Sequence, residues 1–423
     1  MALRFCLFTT FYPPYHFGGD AVYVHRLAEA LGAAGHQVDV IHSPDAYHLS
    51  HPGEPPIQYD ELPNVTRHEL RLRHRKINSL LVHQSGSPAF YTPQIRAVLE
   101  ATRPDVIHYH NVSLLGAPGL FAMGDGIKLM TCHEYWLICA THVLFRYNRE
   151  ACTHRTCFRC SLRARRPPQL WRRGGVVERE LSELDALIMS SHFAAQRHQE
   201  QRLASTFALI PPFVPIPDLQ AVGPRPHQGN RPYFVYAGRL ERLKGPQEAL
   251  KIFHGLADIA DLLLIGDGTI RSELANQAAS MPHVRLLKAV RQDELSSYYM
   301  HASGVVVPSL CYETFGLSAA EAMAHGTPAV VRNHGALAEM IEQSGGGFAF
   351  TTDDEARNAI RRLATEPRLR EDLRSRCRLH AECEWSRERH LERYFELVNR
   401  LVDLRLKGSL SPPGALLAST TGV

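Results

Sequence analysis

Short apolar runs alternate with helical segments along most of the chain, and this alternation restricts the possible folds more than any other feature. The run 5–9 is apolar and leads into a turn that contains Gly18 and Gly19. From Ala21 onward the apolar residues recur at helical spacing, and 38–41 is the next apolar run. A strand, a helix and a second strand in this order form the unit from which parallel sheets are built. The sequence therefore predicts an α/β fold with doubly wound parallel sheets.

The pattern occurs twice, because a proline-rich stretch interrupts it in the middle of the chain. Residues 211–231 contain six prolines and two glycines, a composition typical of a linker. A chain of 423 residues is also too long for one ordinary core. We predict a first domain at 1–215 and a second at 226–385, facing each other across a cleft. Helix 387–406 is expected to pack back on the first domain, and 407–423 to be disordered.

The predicted strands lie at short apolar runs that glycine, proline or polar residues bound. In the first domain they are 5–9, 38–41, 105–109, 128–132, 186–190 and 208–210. In the second they are 233–237, 261–265, 284–287, 304–307 and 328–331, with a helix at 313–324 before the last strand.

Composition and charge are ordinary for a soluble globular protein. Charged residues make up 21% of the chain and the net charge is +4, a mildly basic balance that does not indicate a nucleic-acid partner. We find no apolar stretch near the roughly eighteen residues needed to cross a bilayer. The first apolar run is short and Pro13 and Pro14 stop it, which suits a buried strand better than a signal peptide. The expected location is the cytoplasm.

Two cations follow the first strand of the second domain. This strand ends at Gly238 and Arg239, and Lys244 comes five residues later. A glycine at a strand end allows close approach of a ligand, and an Arg fork with a Lys point charge suits a diphosphate. The alternative is a pair of solvated surface cations.

A second polar segment runs from the buried strand 304–307 into the helix that we predict to begin near Phe315. The start of a helix presents free N–H groups and favours an anion such as a phosphate. Glu313 lies just before this point and Glu321 about two turns later, and carboxylates are good acceptors for sugar hydroxyls. The alternative is a cap residue and a solvated helix position.

Taken together, these segments resemble the retaining glycosyltransferase family 4 of the GT-B fold. The resemblance rests on Gly238-Arg239 with Lys244-Gly245, on Gly266-Asp267-Gly268, and on the segment 313–317 with Glu321. It covers roughly 1–400 and is strongest over 233–347. Several ordered motifs at the family's spacing are specific, whereas one alone would be weak. The resemblance implies two Rossmann-like domains.

The resemblance also implies roles for individual residues. Arg239 and Lys244 would hold the donor diphosphate, and Glu313 would contact hydroxyls of the donor sugar. Glu321 would accept from the nucleotide ribose. The other implied donor contacts are the backbone N–H groups of Phe315, Gly316 and Leu317, the loop at Gly266 and Asp267 near the base, and the glycine loop at Gly18 and Gly19. His133 would be the active-site histidine near the donor sugar.

The implied reaction transfers a sugar from a nucleotide-diphosphate sugar, the co-substrate, with retention of anomeric configuration. Negative charge builds on the leaving diphosphate, and preorganised cations stabilise it. The chain contains no Asp-x-Asp triplet, so we expect no catalytic divalent metal and assign its part to Arg239 and Lys244. Two alternatives are a catalytically silent nucleotide-sugar-binding protein and a sugar-nucleotide epimerase or phosphorylase of similar fold.

Four of the nine cysteines cluster within 22 residues. Cys139, Cys152, Cys157 and Cys160 include one C-x-x-C pair, and four soft ligands suit tetrahedral Zn²⁺. A subset of the resembled family carries similar cysteines after its active-site histidine segment. A structural zinc site is therefore one hypothesis, and four thiols in a loop without metal is the alternative.

Basic residues concentrate in two segments of the first domain, 67–76 and 155–173. They favour peripheral contact with the inner face of an anionic membrane, or with a lipid phosphate. A solvated surface is the alternative. The acceptor would be a glycan, a lipid-linked molecule or a small metabolite, as in polysaccharide or cell-envelope glycan synthesis.

Overall fold

The computed structural model describes residues 2–49, 51, 53, 55, 59–201, 203, 206–218, 223–407 and 416–417. The chain divides into two compact units. Unit 1 comprises Met1–His142, Thr156–Ile210 and Leu391–Val423, and unit 2 comprises Val143–Arg155 and Pro211–His390. Part of the predicted linker, 219–222, lies outside the described residues.

Strands and helices follow one another through the first half of the chain, up to Leu209. In chain order they are β1 (Arg4–Phe8), α1 (Gly19–Ala33), β2 (Gln37–His42), α2 (Pro44–His48), β3 (Val65–Glu69), α3 (Arg75–Ser85), α4 (Thr92–Thr102), β4 (Val106–Tyr109), β5 (Ile127–Thr131), β6 (Phe145–Arg146), β7 (Glu150–Ala151), α5 (Cys157–Arg163), α6 (Val176–Leu181), β8 (Ala186–Met189), α7 (His192–Gln199) and β9 (Phe207–Leu209). Short 3-10 turns lie at Ala89–Tyr91, Gly119–Ala122 and Leu170–Arg173.

The second half repeats the alternation and then becomes helical. Its elements are β10 (Tyr233–Ala237), a 3-10 turn (Arg242–Lys244), α8 (Pro246–Phe253), β11 (Asp261–Ile265), α9 (Arg271–Ala278), β12 (Val284–Leu287), α10 (Gln292–His301), β13 (Gly304–Val307), α11 (Leu317–Ala324), β14 (Ala329–Arg332), α12 (Gly335–Ser344), β15 (Gly347–Phe350), α13 (Asp353–Thr365), α14 (Pro367–Glu384), α15 (Arg387–Leu406) and β16 (Leu416–Leu417).

Each unit contains one parallel sheet. The strand order in unit 1 is β16-β9-β8-β5-β4-β1-β2-β3, and β1 pairs with β2 and β4 so that Phe5 lies opposite Val38 and Val106. The order in unit 2 is β12-β11-β10-β13-β14-β15, and β6 pairs with β7 in a small antiparallel ribbon. The central strands are apolar runs because helices cover both faces of a parallel sheet and leave no solvent face. The predicted doubly wound α/β fold is confirmed for both sheets.

The strands β3 and β15 are two elements that the apolar pattern did not predict. β3 reads VTRHE and most of its residues are exposed or half-buried, while β15 begins at a glycine and has one buried residue. Both strands lie at the end of a sheet. An edge strand has a neighbour on one side only, so its sequence does not need a continuous apolar run.

The C-terminal helix contributes to the core of unit 1. The Tyr394 hydroxyl lies 3.0 Å from Nδ1 of His108, and the Phe395 ring packs against His36. Arg405 donates to the carboxylate of Asp185. Within the stretch that we expected to be disordered, 408–415 and 418–423 lie outside the described residues, but β16 pairs with β9. At those two residues the structure has a strand.

Candidate functional site

The loops after β10 and β11 pack directly against each other. Gly238 donates its N–H to Ile265, and Leu240 donates to the carbonyl of Asp267 at 2.8 Å. Gly266 has a φ of 150°, and a Cβ there would lie 2.0 Å from the Gly238 carbonyl oxygen. Only glycine permits this approach, so the backbone itself brings Gly266 and Asp267 beside the strand end that carries Arg239.

Lys244 and Glu313 form an ion pair in unit 2. The lysine Nζ lies 2.8 and 2.7 Å from the two carboxylate oxygens, and the side chains are 26% and 15% exposed. Ser309, which is buried, also donates its hydroxyl to this carboxylate. Three donor contacts on one carboxylate, in a half-buried position, are stronger than a surface ion pair.

The charges around this pair keep both partners ionised. Burial alone raises the pKa of Glu313, but the charge and hydrogen bonds of Lys244, with help from Ser309 and Arg239, bring it below its usual range. Burial lowers the pKa of Lys244, and the Glu313 charge more than reverses this, so its pKa is raised. Arg239 itself faces solvent, whereas Lys244 is fixed by its ion pair with Glu313, and two such cations suit a diphosphate.

The turn that carries Lys244 is fixed against the loop after β13. Gly245 has a φ of 73°, and a Cβ there would lie 2.1 Å from the carbonyl oxygen of Pro308. Leu310 and Cys311 both donate their N–H groups to the carbonyl of Leu243. The two loops that supply Lys244 and Glu313 are therefore positioned by backbone contacts, independently of the ion pair.

Helix α11 begins later than the sequence pattern predicted. The predicted start at Glu313 is wrong, and the start expected near Phe315 is two residues early, because Gly316 caps the helix with a φ of 108° and α11 begins at Leu317. Glu313 is consequently in the loop, where its side chain turns to Lys244. Phe315 is buried and its ring packs edge-on against Trp385 at 5.5 Å, which fixes the loop just before the helix start.

Glu321 is half-buried in the second turn of α11. Its backbone carbonyl lies 2.7 Å from Nδ1 of His325. The neighbouring residues Ala319, Ala320 and Ala322 are buried, so α11 packs closely on β13 and α14. A carboxylate on such a helix is held by a rigid element, as a contact to a ligand requires.

In unit 1, Gly18 and Gly19 start helix α1. Gly18 is its N-cap with a φ of 98°, and Asp20 lies in the first turn. The Asn111 side chain donates to the Asp20 carboxylate at 3.0 Å, which ties this turn to the residues that follow β4.

His133 follows β5 and is half-buried. Its Nε2 lies 3.0 Å from Nδ1 of His110, and the ring of Tyr23 packs edge-on against it at 5.1 Å. Burial lowers the pKa of His133, although the charges of Asp20 and Glu134 act in the opposite direction. Beside it, Glu134 pairs with Nδ1 of His142 at 2.7 Å.

The four clustered cysteines occupy different environments. Cys139 and Cys160 are buried, Cys152 is half-buried and Cys157 is exposed at the start of α5. Across the part of the chain that the structure describes, no group of three or more His, Cys, Asp or Glu side chains is arranged to hold a metal ion. The structural zinc site therefore stays a hypothesis, from which we derive no step.

Sequence reasoning missed two residues at these positions. Ser309 touches the Glu313 carboxylate, and His110 touches His133. His110 directly follows β4 and Ser309 is the second residue after β13, and the carboxyl ends of parallel strands meet at one edge of the sheet. A search for polar residues within two positions of the end of each predicted strand would have identified both.

Comparisons with known proteins agree with this description of the two units. Residues 17–216 match the family described as Glycosyltransferase Family 4, and residues 222–380 match Glycosyl transferases group 1. The GDP-mannose-dependent alpha-(1-6)-phosphatidylinositol dimannoside mannosyltransferase of Mycobacterium tuberculosis is 26% identical over 388 residues, which cover 89% of this chain and 90% of that protein. The D-inositol 3-phosphate glycosyltransferase of Paenarthrobacter aurescens is 26% identical over 91% of this chain and 94% of that protein.

Among solved structures, the sucrose-phosphate synthase from Thermosynechococcus elongatus superposes with a TM-score of 0.73. It is 21% identical and covers 95% of this chain and 99% of that one. The chain is therefore an enzyme of the glycosyltransferase class, in which 17–216 match the family 4 model and 222–380 match the group 1 model. Its fold is GT-B, as the family resemblance implies.

Proposed function

We propose that this glycosyltransferase moves a sugar from a nucleotide-diphosphate sugar to an acceptor hydroxyl with retention of anomeric configuration. The observation that carries the proposal is the ion pair of Lys244 and Glu313, with Arg239 beside it at the carboxyl edge of the unit 2 sheet. Ligands of open parallel sheets bind at this edge.

The leaving diphosphate is the group that Lys244 and Arg239 stabilise. When the bond between the anomeric carbon and the diphosphate oxygen breaks, negative charge accumulates on that oxygen. A lysine held in place by Glu313 needs no reorganisation to meet this charge, which is the condition for electrostatic catalysis. Glu313 at the same time offers carboxylate lone pairs to sugar hydroxyls.

The remaining donor contacts follow the family resemblance. Glu321 accepts from the ribose, and the loop at Gly266 and Asp267 lies near the base. The N–H groups of Phe315, Gly316 and Leu317 lie near the sugar and the phosphates, in keeping with the preference of helix N-termini for anions. By the same resemblance, His133, Gly18 and Gly19 contact the donor, and no divalent metal takes part.

The donor is tested by incubating the purified protein with UDP-, ADP- and GDP-sugars, and measuring hydrolysis and transfer with and without EDTA. GDP-mannose belongs in the panel because one relative is named as GDP-mannose-dependent, and the match with this chain covers 90% of that relative. We expect turnover of one donor class, unchanged by EDTA. Lys244→Ala should lower kcat by about 100- to 1,000-fold, the scale of losing one oxyanion donor.

Lys251→Ala is the matched control for this variant. Lys251 is 64% exposed and pairs with Asp353 on the surface of unit 2, so we expect no change in kcat. Absence of turnover with every donor, or a Lys244→Ala enzyme as active as the control, would overturn the proposal.

We infer that the acceptor is reached at an anionic membrane surface. Ile77, Leu80 and Leu81 lie at helical spacing on α3 and are 56%, 56% and 41% exposed. The exposed cation Arg73 lies just before the same helix, and the exposed cation Lys76 lies in its first turn. Exposed apolar side chains flanked by cations suit the interface of an anionic bilayer.

The apolar residues continue beyond α3. Phe90, in the adjoining 3-10 turn, is 54% exposed, and Leu170 is 60% exposed. The segment of Leu170 is tied to the end of α3, because Trp171 donates its indole N–H to the carbonyl of His83. We call Ile77, Leu80, Leu81, Phe90 and Leu170 the α3 face. None of the helices within the described ranges is long and apolar enough to span a bilayer. A lipid-linked or lipid-phosphate acceptor fits such a surface.

A further inference from the structure

The imidazole of His133 is held by a second imidazole from the neighbouring strand. β4 and β5 are parallel neighbours, with Tyr109 opposite Met130. His110 therefore leaves β4 at the same edge at which His133 follows β5. Nδ1 of His110 lies 3.0 Å from Nε2 of His133, and the two ring planes differ by 23°.

This contact has a chemical consequence for His133. A neutral imidazole has one N–H donor and one acceptor nitrogen. Nε2 of His133 is engaged with Nδ1 of His110, so one of these two nitrogens carries the shared proton. When His110 donates, the proton of the neutral His133 ring lies on Nδ1, and when His110 accepts, it lies on Nε2. Since burial lowers the pKa of His133, the ring is largely neutral near pH 7, where the tautomer decides what it can offer a substrate.

His110 is itself held in position. It is 2% exposed, and the fully buried His108 ring lies 4.0 Å away between centroids. His108 contacts the Thr131 hydroxyl at 2.8 Å through Nε2 and the Tyr394 hydroxyl at 3.0 Å through Nδ1. Tyr23 packs edge-on against both His110 and His133. The His110 ring is thus enclosed on several sides and cannot turn without displacing these neighbours.

We propose that His110 is a positioning residue that fixes the ring orientation and a single tautomer of His133 for sugar transfer. The proposal rests on the proposed function for the role of His133. The contact between the two rings stands on the geometry of unit 1 alone.

The first test observes the tautomer without any substrate. Protein labelled with ¹⁵N-histidine is studied near pH 7.5 by long-range ¹H–¹⁵N correlation spectra, and the His133 signals are assigned by their loss in His133→Gln. We expect one nitrogen of His133 at a protonated shift and the other at an unprotonated shift. In His110→Leu both nitrogens should move to averaged values.

Asparagine at position 110 is the conservative variant, because its amide group lies where Nδ1 of histidine lies and can donate or accept. His110→Asn should restore the single tautomer. His283→Leu removes a similarly buried imidazole from unit 2, where His283 contacts the carbonyl of Phe253, and should leave the His133 signals unchanged.

The second test uses the donor that the wild-type enzyme turns over. His110→Leu should lower kcat about 10- to 100-fold, the loss typical of removing the hydrogen-bonded partner of a metal-ligating histidine. KM for the donor should change less than kcat, and His110→Asn should recover most of the activity.

A single His133 tautomer in His110→Leu would overturn the proposal, as would a His110→Asn enzyme as impaired as His110→Leu in a protein that still folds. Failure of the proposed function gives a different result. No donor would then be turned over by the wild type, while the tautomer of His133 would still respond to position 110.

Discussion

At the scale of single residues, the informative feature is that the polar groups of the unit 2 site hold one another in place. Lys244 is bound by both oxygens of Glu313, and Ser309 donates to the same carboxylate. Each charged group would be costly to bury alone. Because they are buried together, the cation is oriented before any ligand arrives.

The stability of unit 2 should depend on pH through this pair. The pKa of Glu313 is lowered on folding, so its contribution is present above the unfolded pKa of about 4.3 and is lost as pH falls through the folded value. The raised pKa of Lys244 has the opposite consequence, since its contribution is present below the unfolded pKa of about 10.4 and is lost as pH rises through the folded value.

We predict that Glu313→Gln lowers the free energy of unfolding by about 1.5–3 kcal/mol at pH 7, the range for hydrogen bonds to charged groups. The difference from wild type should shrink as pH falls below about 4, because the wild-type carboxyl is then protonated too. Urea unfolding of both proteins at several pH values measures this difference.

Glu273→Gln is the control for this prediction. Glu273 pairs with Arg242 in the same unit with 40% and 52% of the side chains exposed, so the change should stay below about 1 kcal/mol. An equal loss in the two variants, or a difference that grows in acid, would contradict the prediction.

At the scale of elements, the site is assembled by the ends of three parallel strands. The residues after β10, β11 and β13 approach so closely that Gly245 and Gly266 leave no room for a side chain, since a Cβ there would lie 2.1 and 2.0 Å from a backbone oxygen. The loops therefore act as a frame whose geometry does not depend on the charged side chains that it carries.

Gly245 tests this view of the frame. In Gly245→Ala the new Cβ would lie 2.1 Å from the Pro308 carbonyl oxygen, so the backbone must shift and carry Lys244 with it. We expect a loss of stability of more than about 1–2 kcal/mol, the cost of the left-handed backbone conformation alone. Donor turnover should fall as well. Thermal unfolding and steady-state kinetics measure the two effects.

Gly326→Ala is a close control for Gly245→Ala. Gly326 has a φ of 74° in the same unit, but its Cβ would meet nothing nearer than 3.5 Å. Both variants carry the backbone strain and only one carries the clash. Equal stability and equal activity of the two variants would exclude a framing role for Gly245.

At the scale of the whole molecule, unit 1 carries the α3 face, and the chain as a whole has a net charge of +4. Within the described residues, most of the large apolar side chains that are exposed belong to unit 1. Single exposed leucines scattered over a surface are ordinary and need no partner. Exposed apolar residues concentrated in one unit instead favour an interaction site, such as a surface for a membrane.

We predict that the protein binds vesicles made of equal parts phosphatidylglycerol and phosphatidylcholine, and not vesicles of phosphatidylcholine alone. Ile77→Ser with Leu80→Ser should weaken binding several-fold, because both the apolar contact and the anionic lipid are needed. Raising the salt concentration should also weaken it. Co-sedimentation with vesicles measures the bound fraction.

The control for vesicle binding is Leu379→Ser. Leu379 is 63% exposed on α14 in unit 2, so its loss should leave binding unchanged. Equal binding to both kinds of vesicle would contradict the prediction of an anionic membrane as the partner. Concentration-dependent dimers that disappear in the α3 face variant would instead indicate a second copy of the chain as the partner.

The sequence by itself determined the repeated strand–helix pattern, the two parallel sheets and the family resemblance. The central strands of a parallel sheet are buried on both faces and must be apolar, so β10, β11 and β13 could be predicted to the residue. Local composition also marked Gly238, Gly266 and Gly316, because backbone conformation and close approach at these positions demand glycine.

Only the tertiary structure decided which polar groups meet. Lys244 and Glu313 are 69 residues apart, and His110 and His133 are 23 residues apart on adjacent strands. Neither contact follows from a local pattern, since strand order and loop packing bring the two partners together. The start of α11 could not be read from the local pattern either. The apolar pattern extended the helix back to Glu313, but Gly316 caps α11 and the Glu313 side chain pairs with Lys244.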